Sequence, residues 1–404
     1  MIKIAVLGYG TVGSGVVEVI WTNYDSIVQR IGDSLEIKSI LDLREFPGTP
    51  VEKLIVHDFE QIVNDEEIAI VVEVMGGVEP AYTFVKKSLL AGKSVVTSNK
   101  ALVAKHGAEL LAIAKEKGLH FLFEASVGGG IPIIRPLNTS LSADDIEEIT
   151  GILNGTTNYM LSKMYHEDAD YDAVLKEAQN MGYAERDPSA DVEGYDSCRK
   201  IAILASLISG KQVEFEEIDT EGITDITLQD MKYAKAMGMK IKLLATCRKE
   251  GEKVAAIVAP CLLEKRHPLY NVEDVFNAIF VKGNMLGDAM FYGSGAGKLP
   301  TASAVVADII EAAKYPKQGM MAVWSSEKLD LEEASARSTS FFVRVKDSES
   351  LLEKLRQSFG EITVIQIEGM EEEFGFVTPV MKESEFLKCA ESYDSIVKWI
   401  RVTK

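Results

Sequence analysis

Lys200 follows Asp196 by four residues in a stretch whose apolar period predicts a long helix from just after Asp191 to about Ser209. Residues at that spacing share one helix face. A carboxylate there can orient the ammonium, and a cation beside a carbonyl oxygen can both stabilise a developing alkoxide and deliver a proton. The same spacing also describes an ordinary exposed ion pair. Lys100 follows Asn99 at the end of an apolar strand, the edge of an open α/β sheet where ligands bind. A lysine at a helix start works against the helix dipole, which favours a site role over a solvated surface. Asn154-Gly155-Thr156-Thr157-Asn158 opens another helix. Its small polar groups either line a cleft or only cap the helix.

Gly8-Tyr9-Gly10-Thr11-Val12-Gly13 reads G-x-G-x-x-G between a strand and a helix. The first glycine allows the tight turn, the second lets the backbone approach a pyrophosphate, and the third lets helix and strand pack closely; the helix N-terminus supplies positive potential. A dinucleotide is the expected ligand. Asp42 ends the second strand, placed for a ribose 2′-hydroxyl and hence NAD, while Arg44 is placed for a 2′-phosphate and hence NADP. The balance tips slightly to NAD. With a net charge of −19 the chain repels nucleic acid, and a dinucleotide site must make its own local positive potential.

The elements that would position these groups form a recognisable rhythm. Continuous apolar runs at 2–7, 36–41, 68–75, 93–97 and 119–125 read as buried parallel strands. They alternate with helical patterns at 12–30, 80–90 and 101–117, which predicts a doubly wound α/β sheet. The rhythm breaks at Gly128-Gly129-Gly130. A strand near 146–152, a helix-rich middle and a strand-rich 253–292 predict an α+β second domain, and a helix at 300–313 is expected to return to the first. Residues 314–336 read as a polar linker. The last stretch then gives β-α-β-β-α-β, a small separate ferredoxin-like order.

Length and composition fit this picture. The 404 residues allow two or three domains at roughly 100–200 residues each. No apolar run approaches the roughly 20 residues a membrane helix needs, and no secretory signal is read at the start. Cys198, Cys247, Cys261 and Cys389 are scattered, without a disulfide or zinc pattern, so a cytoplasmic protein is expected. Five scattered histidines offer no transition-metal motif.

Four segments, taken in order, resemble the successive motifs of homoserine dehydrogenases: 97–107 (TSNKALVAKHG), 123–133 (FEASVGGGIPI), 151–161 (GILNGTTNYML) and 182–207 (GYAERDPSADVEGYDSCRKIAILASL). The resemblance spans roughly residues 2–315. It implies NAD(P)-dependent interconversion of aspartate 4-semialdehyde and homoserine in threonine and methionine biosynthesis. It implies an acid–base role for Lys200, supported by Asp196, and a place for Lys100 near substrate and nicotinamide, leaving open which lysine delivers the proton. It implies that Glu185 grips the substrate ammonium, with Asp191, Asn154 and Thr156 at the substrate, and that Ser98 and the glycine-rich segment ending at Gly297 lie against the cofactor. It further implies a monovalent cation, usually sodium, held by the carbonyls of Val127, Gly129 and Ile131 near Glu124; the all-oxygen donor set suits a hard ion.

The implied domains are a Rossmann-like dinucleotide-binding domain at 1–133 (completed by about 296–320), a catalytic and dimerisation domain at 134–295, and an ACT-like domain at 337–404. The expected working form is a homodimer or higher homo-oligomer, with no nucleic-acid or membrane partner. In the ACT-like module the usual Asp-x-Pro-Gly loop reads Lys346-Asp347-Ser348-Glu349-Ser350, without proline or glycine, so effector binding and pure oligomerisation stand equal. Two rivals remain. A semialdehyde dehydrogenase of another kind needs a thiolate, and Cys198 sits mid-helix with no histidine partner in its motif. A non-catalytic sensor of nucleotide and amino acid would not need Lys200, Asp196 and Glu185 together.

Overall fold

A computed structural model describes residues 1–316, 324–346 and 351–403. Asp347, Ser348, Glu349 and Ser350, where an effector loop is expected, lie outside the described residues. The chain divides into two compact units, Met1–Glu147 with Arg199–Glu216 and Lys282–Asp330, and Glu148–Cys198 with Glu217–Val281 and Leu331–Lys404.

The first unit is built on a six-stranded parallel sheet. Its order is Ile55–Val56, Leu35–Leu41, Ile2–Leu7, Ile68–Glu73, Ser94–Thr97 and Phe121–Leu122. This is the dinucleotide-binding strand order. The continuous apolar runs are strands covered on both faces: Ile4, Val6, Ile70, Val72 and Val96 are all buried. The helix Lys298–Lys314 does return to this core, where Ala302, Val305 and Ile309 join the same cluster.

Three local expectations are corrected. The 12–30 helix is two helices, Thr11–Thr22 and Tyr24–Ile31, broken at Asn23. The fifth strand is only Phe121–Leu122, because the chain then tightens into a 3-10 turn, Glu124–Ser126. The 314–336 linker carries a buried anchor. Trp324 packs edge-on against Phe123, and its indole N–H donates to Gln212 Oε1 at 2.8 Å. A side chain on Gly107 would sit 2.4 Å from the Trp324 ring, so glycine is required beneath the indole.

The second unit carries a mixed sheet that runs from Phe276–Gly283 through Ile146–Ile152, Lys240–Glu250 and Lys253–Leu263 to Ile396–Thr403, Ser338–Lys346, Glu373–Val377 and Thr363–Ile365. Its last four strands, with helices Leu351–Phe359 and Glu383–Ala390, give the β-α-β-β-α-β order. That module does not stand apart, however. Its final strand pairs in parallel with Lys253–Leu263, placing Arg401 opposite Cys261. A buried ion pair, Arg344 to Asp230 at 2.6 Å, and a partly exposed one, Arg401 to Glu221 at 2.8 Å, cross the same joint, while Glu383 holds Arg401 within the module. Among the described residues no helix is long and apolar enough to cross a membrane.

Candidate active site

Gly8 takes a left-handed φ of +97°, turning the chain off the first strand into the helix Thr11–Thr22. A Cβ on Gly13 would lie 1.9 Å from the Gly8 carbonyl oxygen, so the close packing of helix on turn excludes any side chain there. Gly10, the N-cap, faces open space. No acidic residue occupies the first turn of that helix, so its N–H groups and dipole remain available to an anion. Gly8 and Gly10 line a cavity of about 580 Å³ together with Asp42, Arg44, His57, Val74, Met75 and Gly76.

Asp42 and Arg44 meet in that cavity. The Asp42 carboxylate accepts the Tyr9 N–H at 2.8 Å, the Arg44 N–H at 2.9 Å and the Arg44 guanidinium at 2.9 Å. The guanidinium holds this carboxyl well below the usual carboxylate range. Arg44 also donates to the Tyr9 carbonyl at 3.0 Å. The nominal NAD residue and the nominal NADP residue are thus one paired unit. His57 was missed in the sequence. Its ring bonds the Asp42 carbonyl at 2.7 Å and Glu45 at 2.8 Å, which raises its pKa. No spacing rule points to it, because it follows the second strand through a short strand of only two residues.

Lys100 opens the helix Lys100–Lys117, whose N-cap is Asn99; the Asn99 side chain accepts the Leu102 N–H at 3.1 Å. Ser98 and Lys100 are both half-buried at the carboxyl end of their strand. Lys200 lies on the helix Tyr195–Ser209 and is only 8% exposed.

The 124–131 loop is buried and closely packed. A Cβ on Gly129, whose φ is +58°, would come within 2.2 Å of the Gly295 carbonyl, and the Gly130 N–H donates to Ser294 O at 3.0 Å. Gly297 caps the helix that follows, in a conformation open to glycine. The Glu124 carboxylate accepts the N–H groups of Ile133, Ile134 and Arg135 at 2.5, 2.8 and 2.7 Å, capping the short helix Ile134–Asn138. Val127, Gly129 and Ile131 are buried, and among the described residues none of their carbonyls accepts a backbone hydrogen bond outside regular elements. Oxygen donors of this kind suit a hard cation.

In the second unit, Asn154 is the N-cap of Gly155–Glu167 and more than a cap. Its Oδ1 accepts the Thr157 N–H at 2.9 Å, and its Nδ2 donates to Asp191 at 2.7 Å and to Asp196 at 3.0 Å. Three of the expected residues therefore converge on one amide. Asp196 is only 4% exposed. The Thr156 hydroxyl is spent on the Tyr183 carbonyl at 2.6 Å. Glu185 lies exposed in the 182–188 turn. Cys198 is buried in the first turn of the helix Tyr195–Ser209, as a structural thiol would be.

The chain matches the family model for the homoserine dehydrogenase NAD-binding domain over residues 8–124, and the model for homoserine dehydrogenase over residues 132–310. It is 39% identical to homoserine dehydrogenase of Bacillus subtilis, over 95% of this chain and 93% of that protein. The crystal structure of a homoserine dehydrogenase from Thiobacillus denitrificans superposes with a TM-score of 0.92 at 34% identity, covering 100% of this chain and 98% of that one. A hyperthermophilic archaeal homoserine dehydrogenase in complex with NADPH superposes at 0.67 with 31% identity, over 77% of this chain and 97% of that one. On these matches the chain belongs to the homoserine dehydrogenase family, the NAD(P)-dependent oxidoreductases that interconvert aspartate 4-semialdehyde and homoserine.

Proposed function

We propose that Lys200 and Lys100 are the cations that act on the reacting oxygen, with Asp196 and Asn154 fixing the geometry. One observation carries this reading: Asp196 and Lys200, four residues apart on one helix, are both withdrawn from water. A surface ion pair needs no such burial, and buried charges concentrate at functional sites. The nicotinamide, when bound, supplies or accepts the hydride. The ammonium of Lys200 stabilises the alkoxide and moves a proton at the substrate hydroxyl oxygen. Lys100, at the carboxyl end of its strand, reinforces the positive potential. Asn154 holds Asp191 and Asp196 with one amide. Glu185, exposed and anionic, is the ligand for the substrate's α-ammonium group.

The Gly8–Gly13 turn and the helix N-terminus hold the pyrophosphate, and the Asp42–Arg44 pair reads the ribose. Ser98 and Gly297 flank the cofactor. Sodium is held structurally by the carbonyls of Val127, Gly129 and Ile131 near Glu124. The C-terminal module is ACT-like, and the enzyme is a cytoplasmic homodimer or higher homo-oligomer. The strand Gly287–Ser294 exposes every second residue, Met290 and Tyr292 among them, as an association face does.

Absorbance at 340 nm with homoserine and NAD or NADP tests the reading. Reduction of cofactor is expected, with about 100-fold lower kcat/KM in Lys100→Ala, the scale of a lost general acid or positioned cation. Nucleotide binding without reduction at alkaline pH would favour the sensor instead.

A further inference from the structure

We propose that Glu73 is a positioning residue for this reaction: its buried carboxyl group joins the turn that walls the nucleotide cavity to the segment that presents Lys100. The inference rests on the reading of Lys100 given above. Glu73 ends an otherwise apolar strand, Ile68–Glu73, and is fully buried. It stands in register with Leu7 on one side and Thr97 on the other, at the carboxyl edge of the sheet.

Each of its oxygens serves a different loop. Oε1 accepts the Met75 N–H at 2.8 Å. That residue, with Val74 and Gly76, lines the nucleotide cavity. It also crowds the first glycine of the loop, since a Cβ on Gly8 would lie 3.0 Å from Met75 Cγ. Oε2 accepts the Thr97 hydroxyl at 2.6 Å, and Thr97 Oγ1 in turn accepts the Asn99 N–H at 2.9 Å. The Glu73 carbonyl takes the Ser98 N–H at 3.3 Å. Asn99 closes the circuit by donating to Gly77 O at 2.5 Å while capping the Lys100 helix. Strand-to-strand bonding alone would be met by an apolar residue at position 73. A carboxyl there is needed only to hold two loops in a fixed relation. Burial pushes the Glu73 carboxyl up from its usual range; glutamine keeps one acceptor oxygen for the Met75 N–H and sets a donor where Oε2 accepts the Thr97 hydroxyl.

The test uses the full chain with Glu73→Ala, Glu73→Gln and Thr97→Val, read by nucleotide affinity from NADPH fluorescence and by kcat, below the melting point of each variant. Glu73→Ala is expected to weaken NADPH binding and lower kcat by about tenfold each, the scale of a sub-ångström misplacement. Glu73→Gln, whose amide oxygen still accepts the Met75 N–H, keeps nucleotide affinity within about threefold of wild type. Thr97→Val lowers kcat but leaves nucleotide affinity near wild type, because Met75 stays anchored. A folded Glu73→Ala variant with wild-type affinity and kcat overturns the proposal, as does a glutamine variant whose nucleotide affinity is no better than that of alanine. If Glu73→Ala does not fold, wild-type kcat in Thr97→Val overturns it. Should Lys100→Ala instead keep full turnover, the role of Lys100 fails, while the nucleotide affinity of the Glu73 variants still reports on the turn.

Discussion

Asn154 is a small residue asked to hold two carboxylates at once. Its amide nitrogen reaches Asp191 and Asp196 while its oxygen caps the helix behind it. Removing the side chain frees two buried or half-buried acids together, and a lost hydrogen bond to a charged group costs about 1.5–3 kcal/mol. Asn154→Ala should therefore lower kcat/KM for homoserine by about 10- to 100-fold while leaving nucleotide affinity unchanged; steady-state kinetics beside nucleotide titration would check this. Asn154→Asp, which sets a third carboxylate against the other two, should be worse than alanine. At this scale the sequence was informative where a motif is local. The helix start at Asn154 and the i, i+4 pair of Asp196 and Lys200 were legible. That Asn154 would reach Asp191 and Asp196 was not, because cap residues look alike in sequence whether or not they reach further.

Lys242 shows how an element is held in place by a group no motif marks. It sits on the strand Lys240–Glu250 and is fully buried. Its ammonium donates to Asn158 Oδ1 at 3.0 Å, Val272 O at 2.6 Å and Glu273 at 3.2 Å, pinning the helix that begins at Gly155. Burial pulls its pKa down to about 8, against Glu273 and Asp274, which raise it, while Lys240 lowers it further. Between that value and the unfolded lysine value near 10.4 the unfolded chain binds more protons, so this group adds stability as pH rises across the window and loses it as pH falls toward 8. Urea midpoints from pH 8 to 10 should therefore climb more steeply in wild type than in Lys242→Met. Parallel slopes would remove the assignment. A second element test lies in the 124–131 loop: Gly129→Ala meets both the +58° φ and the Gly295 carbonyl, and should cost about 1–3 kcal/mol of stability in a melting experiment.

The strands and helices of the first unit were readable because buried parallel strands are unbroken apolar runs. The errors share a cause. Ile55–Val56 is too short to show a period, Asn23 breaks a helix without a glycine or proline, and Trp324 gives a polar stretch one buried anchor that composition averages away. Glu73 did leave a signal, an acid inside the run IAIVVEVM, but a lone charge in a strand has no spacing partner to give it meaning.

Across the whole molecule, the β-α-β-β-α-β order of the C-terminal module was visible in the sequence, whereas its bond to the mid-chain sheet was not. Arg401 beside Cys261 is a contact between segments remote in sequence, and nothing in the pattern of either strand names the other. Because that joint is a continuous sheet with a buried ion pair, Arg344 to Asp230, removing the module at about residue 337 should expose the Lys253–Leu263 strand as a sticky edge; a truncated chain is expected to aggregate rather than remain a smaller active enzyme, as light scattering would show. Self-association of the intact chain should give at least twice the chain mass in sedimentation equilibrium, and Tyr292→Glu should lower it.

The account depends most on the buried lysine of the Tyr195–Ser209 helix, and one kinetic comparison reaches it directly. Homoserine oxidation by Lys200→Ala, followed at 340 nm beside nucleotide titration of the same variant, should show kcat/KM lower by about 100- to 10,000-fold with cofactor affinity intact, the range expected for loss of a general acid–base group. Turnover within about threefold of wild type would mean that the proton and the charge are handled elsewhere.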